Sequence, residues 1–345
     1  MVRFGKSAGA LFAHKRSFFS DNARLVAESK PVAALYSAQP RRERCKCCDH
    51  PLGDAAFVKN GIAYALCARC GHLNGLHEDT PEFCAAIYAE KGGSDYARAY
   101  SASDRDAYWA RVKDIYVPKA EFLHSALAAA GETMADLAVA DFGAGSGYFV
   151  AALRQTGFTA EGYEVSATQA ALAEAFLGAG AVRRHALGDT LALAAETRAP
   201  VVSMIGVLEH VAAPRALLAA LRANRSVRYL YISVPLFSPC VFFELAFPGV
   251  FQRHLAGGHT HLFTERSLDW MCGEFGMSRV GEWWFGADMM DLFRAVSVEL
   301  GDSAATAGAA AIWSEMFAPA IDDLQLALDQ RRLASEVHML LRFVR

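Results

Sequence analysis

The sequence predicts an α/β fold, in which a mainly parallel sheet alternates with helices and follows a small cysteine-rich module. Three observations carry this prediction. An apolar run from Leu137 to Phe142 is typical of a short, buried parallel strand. Three alternate glycines, Gly143, Gly145 and Gly147, then form a turn that opens a helix with apolar residues at helical spacing. Upstream, four cysteines stand in two pairs.

The strand, glycine turn and helix let a ligand lie against bare backbone at the carboxyl end of a strand. Two nucleotide-binding motifs do not fit this stretch. The dinucleotide motif G-x-G-x-x-G needs a glycine where Tyr148 or Val150 stands, and the phosphate loop needs a Gly-Lys-Ser/Thr that is absent.

A second strand ends at Glu164 and Val165, about 20 residues after the first glycine. An acidic side chain at that spacing is placed to accept hydrogen bonds from ribose hydroxyls. A further strand, ending near Gly206, leads through Val207 into the stretch V-L-E-H-V, which contains His210.

Together, D-F-G-A-G-S-G, the acidic strand end and V-L-E-H-V resemble the class I S-adenosylmethionine-dependent methyltransferases, over roughly residues 119–345. The resemblance implies a Rossmann-like sheet of seven strands, the last of them antiparallel. It also implies S-adenosylmethionine as cofactor, bound by Asp141, Gly143, Ala144, Gly145, Gly147, Glu164, Val165, Gly206 and Val207. The alternative is another Rossmann-like domain whose glycine turn is a coincidence.

Composition and charge limit the classes of function that the chain can have. A chain of 345 residues, 53% hydrophobic and 21% charged, can bury one large core and a small second domain. The net charge of −3 does not indicate the basic surface that nucleic-acid binding requires. No apolar stretch reaches the roughly 20 residues that a membrane-spanning helix needs. The basic N-terminus lacks the apolar run of a signal peptide, so a cytoplasmic location is expected.

The cysteines Cys45, Cys48, Cys67 and Cys70 form C-x2-C, 18 intervening residues and C-x2-C. Two cysteines three apart on a tight turn present both sulfurs to one tetrahedral ion, so the pattern favours a structural Zn²⁺ site. An Asn-Gly pair between the two halves predicts a hairpin, and hence a zinc ribbon. Two disulfides are the alternative, disfavoured without a secretion signal; an iron–sulfur cluster is another.

The boundaries follow from these motifs. We expect an N-terminal arm with a short helix over 22–29, and a flexible Gly/Ala/Ser-rich excursion over 301–312. The predicted division is arm 1–44, zinc ribbon 45–75, helical connector 76–117, and methyltransferase domain 118–345 with a substrate-loop insertion over 235–263.

A zinc ribbon ahead of such a domain resembles the deoxysugar C-methyltransferases and methyltransferases of surface-polysaccharide gene clusters. The resemblance implies a saccharide or nucleotide-linked sugar as acceptor, without distinguishing O-, N- and C-methylation. Certain ribosomal RNA methyltransferases also carry an N-terminal zinc module, and a non-catalytic cofactor-binding protein is a further alternative.

Histidines of the insertion, and one in the stretch V-L-E-H-V, are the candidate catalytic residues. Histidine has an unperturbed pKa of about 6.5, which suits proton removal from an acceptor near neutral pH. We predict His259 as the general base, with His261 next and His210 third. One alternative is a second metal site formed by His254, His259 and His261. Another is that these histidines are ordinary solvated loop residues. In related methyltransferases a tyrosine from the connector covers the cofactor, which makes Tyr96 and Tyr100 candidates.

Overall fold

The structure is a computed structural model that describes residues 1–9, 12, 21–89, 104–133, 137–251, 253–255 and 259–345. Its strands are β1 (Val2–Phe4), β2 (Phe57–Lys59), β3 (Ile62–Leu66), β4 (Leu73–Gly75), β5 (Ala138–Phe142), β6 (Thr159–Glu164), β7 (Val182–Arg184), β8 (Val201–Ile205), β9 (Tyr229–Pro235), β10 (His261–Leu262), β11 (Met277–Phe285) and β12 (Glu336–Phe343). Its α-helices are α1 (Asn22–Ser37), α2 (Pro81–Cys84), α3 (Arg105–Arg111), α4 (Val117–Ala129), α5 (Tyr148–Gln155), α6 (Ala167–Leu177), α7 (Thr190–Glu196), α8 (Pro214–Ala223), α9 (Pro239–Ala246), α10 (Glu265–Glu274), α11 (Asp288–Gly301), α12 (Ala307–Phe317) and α13 (Ile321–Asp329).

Within the described residues, the main sheet runs β1-β11-β12-β9-β8-β5-β6-β7. Strands β5 to β9 pair in parallel, whereas β12 is antiparallel to both β9 and β11. The predicted fold class, with its antiparallel last strand, is therefore confirmed. All seven residues of β9 are buried, as expected for a strand with helices over both faces. Trp283 and Trp284 pack into the cores on opposite faces, and both are fully buried.

The N-terminus contributes an eighth strand that the sequence did not predict. Val2 lies opposite Glu282 and Phe4 opposite Trp284, so β1 extends the sheet in parallel beyond β11. The ammonium group of Met1 donates a hydrogen bond to the Val280 carbonyl at 2.9 Å. The prediction of an arm with one short helix was incomplete, since α1 also runs on to Ser37.

Two further predictions differ from the structure. The flexible excursion expected over 301–312 instead enters helix α12, whose Trp313 and Phe317 pack with Phe293 of α11. The expected loop over 235–263 contains helix α9 and ends in strand β10. The alanines of α12 favour a helix where a tertiary contact holds its apolar face, and this outweighs the loop-like composition of the segment.

Strand β10 joins the small sheet of the cysteine module, which runs β10-β4-β3-β2. The predicted hairpin turn is present, with positive φ at Asn60 (51°) and Gly61 (78°). Next to β10, the Gly75 N–H donates to the Thr260 carbonyl at 2.7 Å. A Cβ on Gly75 would lie 2.8 Å from that oxygen, so glycine is needed where the two segments cross. The small sheet of the cysteine module is thus completed by β10, a strand from the main domain.

Candidate functional site

The glycine turn between β5 and α5 lies at the carboxyl edge of the main sheet. Gly143, Gly145 and Gly147 have φ of 71°, 54° and 77°, a region that glycine alone occupies readily. A Cβ on Gly143 would lie 2.6 Å from the Val207 side chain. A Cβ on Gly145 would meet nothing closer than Gln169 Oε1 at 3.9 Å. The backbone at Gly145 is therefore open to a ligand.

Glu164, at the end of β6, holds this turn in place. Its carboxylate accepts the N–H of Gly145 at 2.8 Å and the N–H of Ser166 at 2.7 Å. Burial raises the pKa of Glu164, and these backbone hydrogen bonds oppose the rise. An ionised carboxylate offers about four lone-pair positions, so about two remain beside these two hydrogen bonds. The half-buried Val165 follows directly.

The other predicted cofactor residues lie along the same edge. Asp141 is buried in β5 and accepts the Ser203 hydroxyl at 2.6 Å, while burial raises the pKa of Asp141 to about 7. Ala144 is buried beneath the turn. Gly206 is exposed at the end of β8, with φ of 67°. The open backbone at Gly145 and Gly206, together with the buried carboxylate of Glu164, fits S-adenosylmethionine.

Tyrosines of the connector and of α5 pack under the glycine turn. Tyr148 stacks on Tyr108 and Tyr116, with ring centroids 4.6 Å and 5.3 Å away. The Tyr108 hydroxyl donates to the Ser146 carbonyl at 3.0 Å. Tyr96 and Tyr100, the connector tyrosines predicted as candidates to cover the cofactor, lie outside the described residues.

A cluster of Glu209, His210 and His259 lies beside the cofactor edge. One ligand atom of each lies within 4.8 Å of the others, and a Cβ on Gly206 would lie 3.6 Å from Glu209 Oε1. Burial raises the pKa of Glu209 to about 8. The Tyr88 hydroxyl lies 2.9 Å from His210 Nδ1. Sequence reasoning named both histidines but missed Glu209 as a site residue, although it stands beside His210 in V-L-E-H-V.

The chain around His259 is fixed from within the insertion. The His259 Nδ1 lies 2.9 Å from the carbonyl oxygen of His254. Upstream, the Glu244 carboxylate accepts the N–H groups of Arg253, His254 and Leu255 at 2.7–3.0 Å.

The other two loop histidines point elsewhere. His261 is fully buried, with Nδ1 2.7 Å from His72 Nε2, and burial holds its pKa well below the usual value. His254 Nε2 lies 3.1 Å from the Leu236 carbonyl, and burial lowers the pKa of His254 to about 3. The structure therefore does not gather His254, His259 and His261 into one metal site. It brings His259 to His210 instead.

Thr260, between His259 and His261, is tied to the cysteine module and to the residues that flank it. Its hydroxyl donates to Asp79 at 2.6 Å. The same carboxylate accepts Arg42 and Lys46, each at 2.7 Å, and all four side chains are buried. This network fixes the backbone that carries His259.

The four predicted zinc ligands lie together and are buried. Among the described residues, their sulfurs all lie within 4.8 Å of one another, with Cys45 to Cys70 at 3.6 Å and Cys48 to Cys67 at 3.5 Å. A tetrahedron with Zn–S bonds of about 2.3 Å has edges of about 3.8 Å, whereas a disulfide needs about 2.05 Å. The arrangement fits Zn²⁺.

Solved structures with a similar fold include several methyltransferases. Magnesium protoporphyrin IX methyltransferase from Synechocystis PCC 6803, with bound SAH, is 17% identical, covers 58% of this chain and 90% of its own, and has a TM-score of 0.42. A putative sarcosine dimethylglycine methyltransferase from Galdieria sulphuraria is 14% identical, with 66% and 85% covered and a TM-score of 0.43. A SAM-dependent methyltransferase from Geobacter sulfurreducens, in complex with S-adenosyl-L-homocysteine, is 18% identical, with 66% and 91% covered and a TM-score of 0.36. No curated protein matches the sequence significantly.

The sequence also matches a protein family directly. Residues 108–280 match the methyltransferase domain family, which is 173 of 345 residues. The matched segment begins at Tyr108 and contains the glycine turn, Glu164, the Glu209–His210–His259 cluster and strands β5 to β10. With this match and the strand order described above, the chain belongs to the methyltransferase domain family and is an S-adenosylmethionine-dependent methyltransferase.

Proposed function

We propose that the chain methylates a saccharide or a nucleotide-linked sugar, in the biosynthesis of a surface glycan or a secondary metabolite. The observation that carries this proposal is the cluster of Glu209, His210 and His259 next to the cofactor edge. A sugar presents hydroxyls, which need polar partners and a group that takes up a proton. Two imidazoles and a carboxylate supply both.

The cofactor is held by the glycine turn and by Glu164. The ribose hydroxyls donate to the lone pairs that Glu164 keeps beside its hydrogen bonds to Gly145 and Ser166. When bound, S-adenosylmethionine supplies a sulfonium methyl group that is already activated for transfer. The enzyme's task is then to align the acceptor in line with that methyl and to remove a proton.

His259 is the proposed base, with His210 beside it. A neutral imidazole that donates from Nδ1 to the His254 carbonyl carries its lone pair on Nε2, the arrangement that a base requires. His261 is buried and bonded to His72, so its proposed part is to position His259 and not to take the proton itself.

Two alternatives have less support. Ribosomal RNA as acceptor conflicts with a net charge of −3, because phosphate backbones are bound through basic surfaces. A non-catalytic role does not need a Glu–His–His cluster beside the methyl donor. The zinc ribbon is proposed to be structural, since Cys45, Cys48, Cys67 and Cys70 are all buried.

The test uses S-adenosylmethionine labelled in the methyl group, with a panel of nucleotide sugars and free saccharides as acceptors. Label in a sugar, with one S-adenosylhomocysteine formed per methyl transferred, is the expected result. Ribosomal RNA is the comparison acceptor, and label found there alone would refute the sugar assignment. Cofactor binding by calorimetry without transfer to any of these acceptors would refute it as well.

A further inference from the structure

Two distant parts of the sequence bring three metal-binding side chains together beside the cofactor edge. Glu209 and His210 follow β8, whereas His259 precedes β10. One ligand atom of each lies within 4.8 Å of the others, and Glu209 Oε1 lies 3.9 Å from His210 Nε2. Two histidines and one carboxylate are a common donor set for Zn²⁺ and other divalent transition metals.

Each imidazole is already oriented through a nitrogen. The His259 Nδ1 lies 2.9 Å from the His254 carbonyl oxygen, and the His210 Nδ1 lies 2.9 Å from the Tyr88 hydroxyl. Metal-binding histidines characteristically donate one ring N–H to a carbonyl or a similar group, which fixes the ring and makes the other nitrogen more basic. His259 shows this arrangement with a backbone carbonyl.

Glu209 supplies an independent observation. Glu209 is 2% exposed, and its Oε2 has no hydrogen-bond partner among the described residues. The ion pairs of the described residues give Glu209 one partner, His210 at 3.9 Å. A buried carboxylate oxygen without a partner is costly. A cation between Glu209 and the two imidazoles would remove that cost.

We propose that Glu209, His210 and His259 bind a divalent transition-metal cation of the Zn²⁺ type, separate from the four-cysteine site. The consequence for catalysis rests on the proposed function. A cation there lowers the pKa of an acceptor hydroxyl, so that the hydroxyl loses its proton to solvent. An oxygen lone pair then forms the bond to the methyl carbon while the carbon–sulfur bond of the donor breaks, and His259 is then a metal ligand in place of its proposed role as base.

The test is a titration of the purified chain with Co²⁺, followed by absorption and by elemental analysis. Co²⁺ in the cysteine site gives sulfur-to-metal charge-transfer bands, whereas Co²⁺ held by nitrogen and oxygen gives ligand-field bands alone. We expect one equivalent of the second kind beyond the cysteine site. Glu209→Gln, which keeps the side-chain shape, and His259→Ala should each lower its affinity at least tenfold. His124→Ala, a histidine packed against Phe158, is the control and should bind as wild type.

Calorimetric binding of S-adenosylmethionine by each variant shows that it is folded. Binding of Co²⁺ at the cysteine site alone would overturn the proposal, and so would a second equivalent that both Glu209→Gln and His259→Ala retain with wild-type affinity. Because no acceptor is present, this result is independent of the sugar assignment. Methylation of a sugar by a chain with one metal equivalent would leave the proposed function standing and refute the second site.

Discussion

Replacement of Glu164 by alanine tests the cofactor site most sharply. The carboxylate keeps about two lone-pair positions beside its hydrogen bonds to Gly145 and Ser166, and in the proposed cofactor site these positions accept the ribose hydroxyls. Hydrogen bonds to a charged group contribute about 1.5–3 kcal/mol each. Loss of one such contribution raises the Kd for S-adenosylmethionine roughly 10- to 150-fold. Loss of both ribose contacts would raise it further.

The assay is isothermal titration calorimetry with S-adenosylmethionine. Glu161→Gln is the matched control, since Glu161 lies on the same strand and its carboxylate instead accepts the Tyr163 hydroxyl at 2.6 Å and pairs with Arg183 at 3.0 Å. It should bind as wild type. Thermal unfolding of the variant without cofactor shows whether the substitution has disordered the glycine turn. This effect can then be separated from loss of the ribose contact. Wild-type affinity in Glu164→Ala would refute the reasoning.

Three further predictions concern catalysis, stability and metal. His259→Ala should lower methyl transfer by about 10²–10⁴-fold with cofactor affinity unchanged, whether the imidazole takes the proton or holds a cation; wild-type turnover in both His259→Ala and His259→Asn would remove the residue from the mechanism. Burial raises the pKa of Asp141 to about 7 in the folded chain, above the unfolded value of about 3.9, so this carboxyl destabilises the fold increasingly as pH rises from about 4 to about 7. Asp141→Asn should therefore raise the free energy of unfolding at pH 8 by at most about 4 kcal/mol and change it little at pH 4; equal shifts at both pH values in chemical denaturation would contradict the cause. Cys67→Ser should lower the zinc content by about one equivalent and reduce the unfolding temperature, and unchanged zinc by elemental analysis would show that Cys67 is not a ligand.

Local patterns were enough to predict the parallel sheet and the position of the glycine turn. Gly143, Gly145 and Gly147 have positive φ, and the mostly apolar, buried run before them is typical of a strand. The cysteine spacing likewise reflects a short-range constraint, because each pair sits on one tight turn. At the glycine turn and at the cysteine pairs, the local backbone geometry determines which residue types can stand there.

What could not be predicted depends on contacts between distant segments. Strand β1 is short and exposed, and it becomes a strand only because the edge of β11 pairs with it. Strand β10 has two residues and no periodicity, and its partner β4 lies far upstream. Glu209 becomes a site residue only when the insertion brings His259 beside it. Nothing in residues 207–211 alone indicates that approach.

The sheet that joins β4 to β10 has a consequence for synthesis of the chain on the ribosome. The cysteine module is complete once Gly75 has emerged, but the strand that covers the free edge of β4 follows only at His261. Until then, a nascent chain exposes unpaired backbone N–H and C=O groups along β4, a surface that recruits other strands. Slow or interrupted translation between these points should favour aggregation. Chaperones that shield strand edges should raise the yield of soluble protein.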